Sequence, residues 1–311
     1  SVFLKSKIQV DLRVVEPSSF GAALQYFTGS KEHNVALRSR AKDEGLKVSE
    51  YGVFKGTENI ASATEEEGYA SLGCEWIPPE LRENRGEIEA ALKGELPSLV
   101  TRGDMRGDLH MHTDYTDGNS SLEEMIEAAQ SAGYEYMAVT DHSEYVKVAN
   151  GMAPQRVREQ LKHIEEVRGD FPGITVFSGI EVDIHPDGSL DLDDELLSEI
   201  DFVIASIHFT LDMSRAAMTK RIVTALAHPA VRCLAHPTMR QKGERPAYDV
   251  DMDAVIEAAA ENGVALEINA TPKRLDLNDV HAAAARKKGV PLCINTDAHG
   301  ADALARMRFG I

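Results

Sequence analysis

A chain of 311 residues with 43% hydrophobic and 27% charged residues has the composition of a globular protein and the length for one large core and a smaller one. No apolar run approaches the ~20 residues of a membrane span, no signal peptide is visible, and Cys74, Cys233 and Cys293 lack C-x-x-C spacing, which argues against a zinc knuckle or a disulfide framework and for a reducing cytoplasm. The net charge of −18 is uneven: residues 1–107 carry 14 Lys/Arg and 17 Asp/Glu, residues 108–311 carry 19 and 34, so the second part repels nucleic acid unless bound cations offset its carboxylates.

In chain order, IQVDLRVVEP (8–17) alternates like a strand, with Val10, Leu12 and Val14 on one face and Asp11, Arg13 and Val15 on the other. Taken alone, Asp11 reads as a solvated edge residue. YFTGS (26–30) follows, with Asn34 and Arg38 at helical spacing, and then LKVSEYGVF (46–54). Residues 75–107 read as a boundary: Pro78-Pro79, a charged helical patch around 80–93, then Gly94, Pro97 and Gly103. We divide the chain at this level into 1–16, 17–95, a linker at 96–107, and 108–311.

After residue 107 strands and helices alternate. Apolar runs near 108–112, 136–140, 174–182, 202–207, 231–235, 264–268 and 291–295 predict strands, and 121–132, 154–168, 193–199, 214–226, 251–261 and 278–288 predict helices. Ser120 and Ser121 before Glu123 and Glu124 make an N-cap, and Gly133 and Gly289 stand where helices end. Seven such units predict an α/β fold with a closed or nearly closed parallel barrel, whose chemistry sits at the carboxyl ends of the strands.

Those ends carry one kind of residue. GDLHMHTDYTDG (107–118) sets His110 and His112 two apart, on one face of a strand, with Asp117 on the loop beyond. YMAVTDH ends in Asp141 and His142, ITVFSGIEVD reaches Glu181, DFVIASIH ends in His208 and VRCLAH in His236. VALEIN ends in Asn269, and VPLCINTDAH in Asp297 and His299. A lone histidine after a strand is usually a loop hydrogen-bonding residue; convergence on one rim points instead to metal. Nine ligand-type residues exceed the four of one zinc site and fit two or three ions sharing a carboxylate.

HMH, TDH, Glu181, IHF, AHP and TDAH, in that order, resemble the polymerase and histidinol phosphatase (PHP) domain from 107 to about 309. The resemblance implies a distorted (β/α)7 TIM-like barrel with a trinuclear centre: one ion on His110, His112, Glu181 and Asp297, a second on Glu181, His208 and His236, and a third on Asp117, His142 and His299. The family often has histidine at the position of Asp117. Manganese, zinc and iron all suit this mixed ligation.

The earlier segment, about residues 3–90, resembles the end of the palm and the thumb of family X DNA polymerases, those similar to polymerase beta. That resemblance implies a smaller α+β domain, palm over 1–16 and thumb over 17–95. Asp11 becomes the third of three catalytic carboxylates, Tyr26, Phe27 and Gly29 lie against the incoming nucleotide's sugar, and Asn34 and Arg38 lie near the nascent base pair. The family's other two carboxylates, which hold Mg²⁺ or Mn²⁺, and its triphosphate-binding motif lie upstream. The expectation is therefore part of a longer bacterial repair polymerase, cytoplasmic and nucleoid-associated, that takes DNA (3′ ends and gapped duplex) and nucleoside triphosphates and no membrane; this chain alone does not extend a primer.

The function expected is metal-dependent phosphoester hydrolysis, foremost a 3′→5′ exonuclease, with 3′-phosphatase or abasic-site cleavage as variants. Glu181, Asp297, His110 and His112 carry it, Asp141 and Asn269 support the ligands, and Arg240 (AHPTMR) and Arg274 (PKRLD) grip phosphate. Asp114 braces its loop or faces water. The rivals are a small-molecule phosphatase similar to histidinol phosphatase and a non-catalytic metal-binding scaffold.

Overall fold

In the computed structural model, which describes residues 1–311, the chain forms two units, Ser1–Leu99 and Val100–Ile311. The first begins with a hairpin of β1 (Val2–Phe3) and β2 (Gln9–Val10), exposed on both strands. The strand expected over 8–17 stops at Val10. Leu12 and Val14 are 86% and 91% exposed, because a two-stranded ribbon offers them no face to bury. Helices α1 (Phe20–Thr28) and α2 (Lys31–Asp43) follow, α2 capped by Ser30, which accepts from the His33 backbone N–H at 3.2 Å. Strands β3 (Leu46–Ser49), β4 (Gly52–Lys55) and β5 (Glu58–Ala61) make an antiparallel meander.

Helices α3 (Glu65–Ala70) and α4 (Glu87–Lys93) complete the unit around Leu37, Val53, Tyr69, Leu72, Ile77 and Ile88. The helical patch expected over 80–93 is a 3₁₀ turn at Pro79–Leu81 and α-helical from Glu87 only. Arg82 is instead fully buried: it donates to both carboxylate oxygens of Glu65 (2.7 and 2.9 Å) and to the Ile77 carbonyl (2.8 Å), which pins the turn at Pro78-Pro79.

The second unit alternates as its periodicity predicts: β6 (Gly107–Asp108), α5 (Leu122–Ser131), β7 (Tyr136–Val139), α6 (Pro154–Val167), β8 (Thr175–Asp183), α7 (Asp194–Ser198), β9 (Phe202–Ser206), α8 (Arg215–Leu226), β10 (Val231–Leu234), α9 (Met252–Asn262), β11 (Ala265–Asn269), α10 (Asp279–Lys287) and β12 (Leu292–Asn295). All seven strands are parallel and neighbour one another in chain order. The sheet nearly closes, since a parallel bridge joins Met111 to Ala298 and the His112 N–H donates to the Ala298 carbonyl at 2.8 Å. Gly133 and Gly289, with φ of +83° and +78°, end α5 and α10 in the left-handed region that glycine enters without strain. No helix is long and apolar enough to cross a membrane.

Alternation within the strands separates two environments. Ile180, Val182, Val203, Ala205, Leu234 and Leu266 belong to one outer apolar layer with Val157 of α6, Met218 and Ile222 of α8, and Val255 and Ile256 of α9; Met137, Val139 and Val176 share a second with Met125, Ile126 and Ile164. Each of the valine, leucine, isoleucine and methionine side chains contributes about 1.5–3 kcal/mol on burial. The inward face carries Ile204, Cys233, Ala235 and Ala265, and beyond them the polar residues of the rim.

Candidate metal centre at the barrel rim

The strand expected over 108–112 is a ladder only at Gly107–Asp108. Past that point side-chain bonds, Leu109 N–H to Asn295 Oδ1 (3.1 Å) and Met111 N–H to Thr140 Oγ1 (3.0 Å), alternate with the single backbone bridge of Met111 to Ala298. The extended alternation survives the break in the ladder. Met111 is buried in the outer apolar layer, and the rings of His110 and His112, 5.2 Å apart, are buried inside.

Glu181, on β8 and 1% exposed, is the hub. Its Oε1 lies 3.0 Å from His236 Nε2 and 3.6 Å from His208 Nε2. Its Oε2 lies 2.8 Å from His142 Nδ1, 3.6 Å from His110 Nε2 and 3.7 Å from His112 Nε2. Asp297 Oδ1 stands 3.2 Å from His112 Nε2 and 3.7 Å from His110 Nε2. Asp117 reaches His142 Nε2 (3.5 Å) and His299 Nε2 (3.3 Å) from its loop. All nine expected residues meet at the rim. Their ligand atoms form four overlapping groups, each within 4.8 Å: His110, His112 and Asp297; His110, Glu181 and His236; His142, Glu181 and His208; His112, Asp117, His142 and His299. His110, His112 and His142 thus each belong to two groups, a sharing that the implied assignment of ions does not contain. His236 (φ +27°) and Asp297 (φ +51°) occupy the left-handed region, which for such residues is strained and is tolerated at sites held by their surroundings.

Burial opposes charge throughout this cluster, and the partners decide the outcome. Burial would raise Glu181 and Asp297, yet the facing histidines, His142, His208 and His110 for Glu181 and His110 and His112 for Asp297, hold both well below the carboxylate range. Burial would lower His142 and His110, yet Glu181 and Asp117 push His142 up to about 10, and Glu267, Asp297 and Glu181 raise His110 well above its usual value. For His112 burial prevails, helped by His142, and takes the ring down to about 3; burial and Arg274 take His236 to about 4. The carboxylates are anions and the last two rings neutral donors at pH 7.

Buried polar atoms are normally paired. Here Nε2 of His110, both ring nitrogens of His112, Nδ1 of His142 and Oε2 of Glu181 are buried with no hydrogen bond. Imidazole nitrogens and carboxylate oxygens turned toward one another at 3–4 Å fit divalent cations by donor type and by this shared lack of protein partners.

Outside this shell, two carboxylates buttress histidines that the sequence singled out, without having been singled out themselves. Glu267 Oε1 accepts from His110 Nδ1 at 2.7 Å, and Asp183 Oδ2 lies 2.8 Å from His208 Nδ1. Asp141 touches no histidine. It accepts from the Thr113 N–H (2.9 Å) and hydroxyl (2.6 Å), from Gln160 (2.6 Å) and from the Thr116 hydroxyl, and so braces the loop that carries Asp117. Asp114 is exposed, and its N–H closes the same loop onto the Ser120 carbonyl at 3.0 Å. Asn269 donates to Asp297 at 3.0 Å. Arg274 Nε lies 3.5 Å from Asp297 Oδ2, at the edge of the site. Arg240 is spent on main chain: it donates to the carbonyls of Arg274 (3.0 Å) and Leu275, holding the loop that presents Arg274.

In the first unit, Asp11 is exposed and accepts from Gln9 Nε2 (3.3 Å). Tyr26 and Phe27 pack edge to face at 5.2 Å beside Gly29 (φ +81°). Asn34 is buried, accepting from Gln25 (2.7 Å) and donating to the Tyr26 carbonyl (2.8 Å); Arg38 lies over the Tyr26 ring at 6.0 Å. Tyr26, Asn34 and Arg38 form one cluster.

Comparison with known proteins places both units. Residues 23–83 match the DNA polymerase beta thumb, and residues 108–271, more than half of the chain, match the PHP domain. The chain is 44% identical over 304 residues to the DNA polymerase/3′-5′ exonuclease PolX of Bacillus subtilis; the match covers 97% of this chain and 53% of that protein, so the chain spans about half the length of this relative. It is 31% identical over 202 residues to a probable phosphatase of Acetivibrio thermocellus, covering 62% of this chain and 78% of the relative, and equally similar over 207 residues to the probable phosphatase YcdX of Escherichia coli. Among solved structures, a histidinol-phosphatase-like protein, hisK, from Listeria monocytogenes superposes with a TM-score of 0.54 at 16% identity, over 65% of this chain and 98% of that one, a likeness of fold.

Proposed function

This chain belongs to the PHP family and carries a polymerase beta thumb ahead of its PHP domain, and from that premise we propose that the barrel hydrolyses phosphoesters with two or three divalent ions, acting on the 3′ end of DNA as a 3′→5′ exonuclease. One observation supports it above the rest: nine imidazole and carboxylate groups converge on one rim, and five of them bury a ring nitrogen or carboxylate oxygen that no protein partner fills.

His110, His112, Asp117, His142, Glu181, His208, His236, Asp297 and His299 would hold the ions, manganese, zinc or iron by donor type. When bound, such ions supply a water of lowered pKa and a clamp for phosphate oxygens. Glu181, held ionised among five imidazoles, would be the carboxylate shared between ions. Arg274, at the rim beside Asp297, meets the phosphate as a cation, while Arg240 sets its loop. The acidic barrel needs this cationic patch for a polyanion to approach.

DNA is favoured over a metabolite because a polymerase-type thumb shares the chain. In a longer protein, Asp11, Tyr26, Phe27, Gly29, Asn34 and Arg38 would serve a Mg²⁺- or Mn²⁺-dependent polymerase site in the bacterial cytoplasm, with gapped duplex and nucleoside triphosphates as its partners. A second reading, a small-phosphomonoester phosphatase, is supported by relatives named as probable phosphatases that the chain covers to 78%. The test is the chain stripped of metal, then reloaded with Mn²⁺, Zn²⁺ or Fe²⁺. It is assayed on 5′-labelled primer-template and on p-nitrophenyl phosphate. Metal-dependent shortening of the primer from its 3′ end supports the exonuclease. Hydrolysis of the small ester alone favours the phosphatase, and full metal binding without hydrolysis of either removes both.

A further inference from the structure

Glu267 lies in the middle of β11, 0% exposed, and serves no step assigned so far. A carboxylate offers about four lone-pair sites, and here each meets a donor. Oε1 accepts from His110 Nδ1 (2.7 Å) and Asn295 Nδ2 (3.1 Å); Oε2 accepts from the His236 backbone N–H (2.6 Å) and Asn269 Nδ2 (3.2 Å). With its lone pairs filled, Glu267 is not placed to act as a ligand itself.

Its two oxygens act on two different ligands. Glu267 Oε1 accepts at 2.7 Å, which places a proton on Nδ1 of His110 and leaves Nε2 as the nitrogen that would turn to a cation. That nitrogen is the one without a hydrogen bond, 3.6 Å from Glu181 and 3.7 Å from Asp297. The second oxygen holds the main chain of His236 at its strained φ of +27°. His110 and His236 meet again across the rim, in the group they form with Glu181. Asp183 makes the comparable contact for one ligand only, bonding the ring and backbone N–H of His208 (2.8 and 3.2 Å).

We propose that Glu267 is a positioning residue of the metal centre, fixing the tautomer of His110 and the backbone of His236 together so that two ligands of one group are set by a single carboxylate. This rests on the metal-centre reading above, though not on which phosphoester is cleaved.

The experiment measures metal first and activity second, on the whole chain. Glu267→Gln presents an amide NH₂ to one of the two N–H donors and loses the charge. Its affinity for Co²⁺ and Zn²⁺, by competition with a chelator, should fall about 10–100-fold, and the visible spectrum of bound Co²⁺ should change. Glu267→Asp restores the charge but is one methylene shorter, and should recover part of the affinity. Wild-type affinity and spectrum in Glu267→Gln would overturn the proposal. Should that variant not fold, ¹⁵N-histidine NMR of the Zn²⁺-loaded wild type decides: the His110 ring, assigned by its absence in His110→Asn, should be protonated at Nδ1 and bound through Nε2, and the reverse overturns it. Wild type that binds metal and hydrolyses nothing removes the hydrolytic reading alone, since the affinities still test Glu267. Wild type that binds no divalent ion removes both.

Discussion

Glu181 Oε2 lies 2.8 Å from His142 Nδ1, while the other nitrogen of that ring lies 3.5 Å from Asp117. His142 therefore ties the hub of the site to the loop at its edge, two regions that the motif order treats as separate.

The first expectation concerns the hub. Glu181→Gln keeps the shape and removes the charge that faces five imidazoles. It should lower metal content per chain in elemental analysis and cost more than the roughly 10–100-fold in affinity typical of outer partners, with hydrolysis lost and far-UV circular dichroism unchanged. Unaltered metal content would show that Glu181 bridges no ions.

A second expectation separates two aspartates of one loop. Asp117→Asn replaces an anion between His142 and His299 with a weaker, uncharged ligand, and should loosen one ion and cut turnover sharply. Asp114→Asn should leave the metal count intact, because the loop uses the Asp114 N–H rather than its side chain. The reverse result would exchange their roles.

The third concerns pH. Without ions, the raised His110 and the His142 at about 10 hold protons at pH 7, so a cation must displace them. Metal binding should release protons, and apparent affinity should climb as pH rises from 7 toward 10. His112, at about 3, and His236, at about 4, are already neutral and add no release in that range. Calorimetry in buffers of different ionisation enthalpy counts the protons, and a count of zero would contradict the electrostatics described here.

The fourth uses the single tryptophan of the chain. Trp76 donates to Glu65 at 3.0 Å, and the Arg82 guanidinium lies 5.9 Å from its ring, so its fluorescence reports the buried pair of the first unit. Arg82→Ala strands the Glu65 charge and should cost about 3–5 kcal/mol, seen as a lower denaturant midpoint of Trp76 emission. Arg82→Met with Glu65→Leu should recover much of it, because the pair repays little beyond its own desolvation.

Much of this was legible because a barrel exposes its strand ends, and residues such as His208 and His236 break an apolar run at the point where it reaches solvent. Glu267 escaped for the opposite reason. VALEIN reads as a buried strand ending in Asn269, and a carboxylate two residues earlier looks like an interruption. Its signal was the cost of burying an acid in a parallel strand, which demands several donors at once. Asp183, two residues past Glu181, was masked by that neighbour. Spacing also misled at 8–17, where alternation marks a strand but cannot say whether a partner face is present.

The bridge from Met111 to Ala298 carries a consequence for assembly. The donor across that seam, His112, belongs to the same group as His299, one residue beyond the acceptor. The rim is stitched shut by the segments that would grip the ions, so a chain truncated before residue 297 loses the closing strand's contact together with Asp297 and His299. On the ribosome, a competent centre would come into being only after nearly the whole barrel had emerged. Metal retained per chain then serves as a gauge of completed closure, and partial products should fail it while most of their helices are already formed.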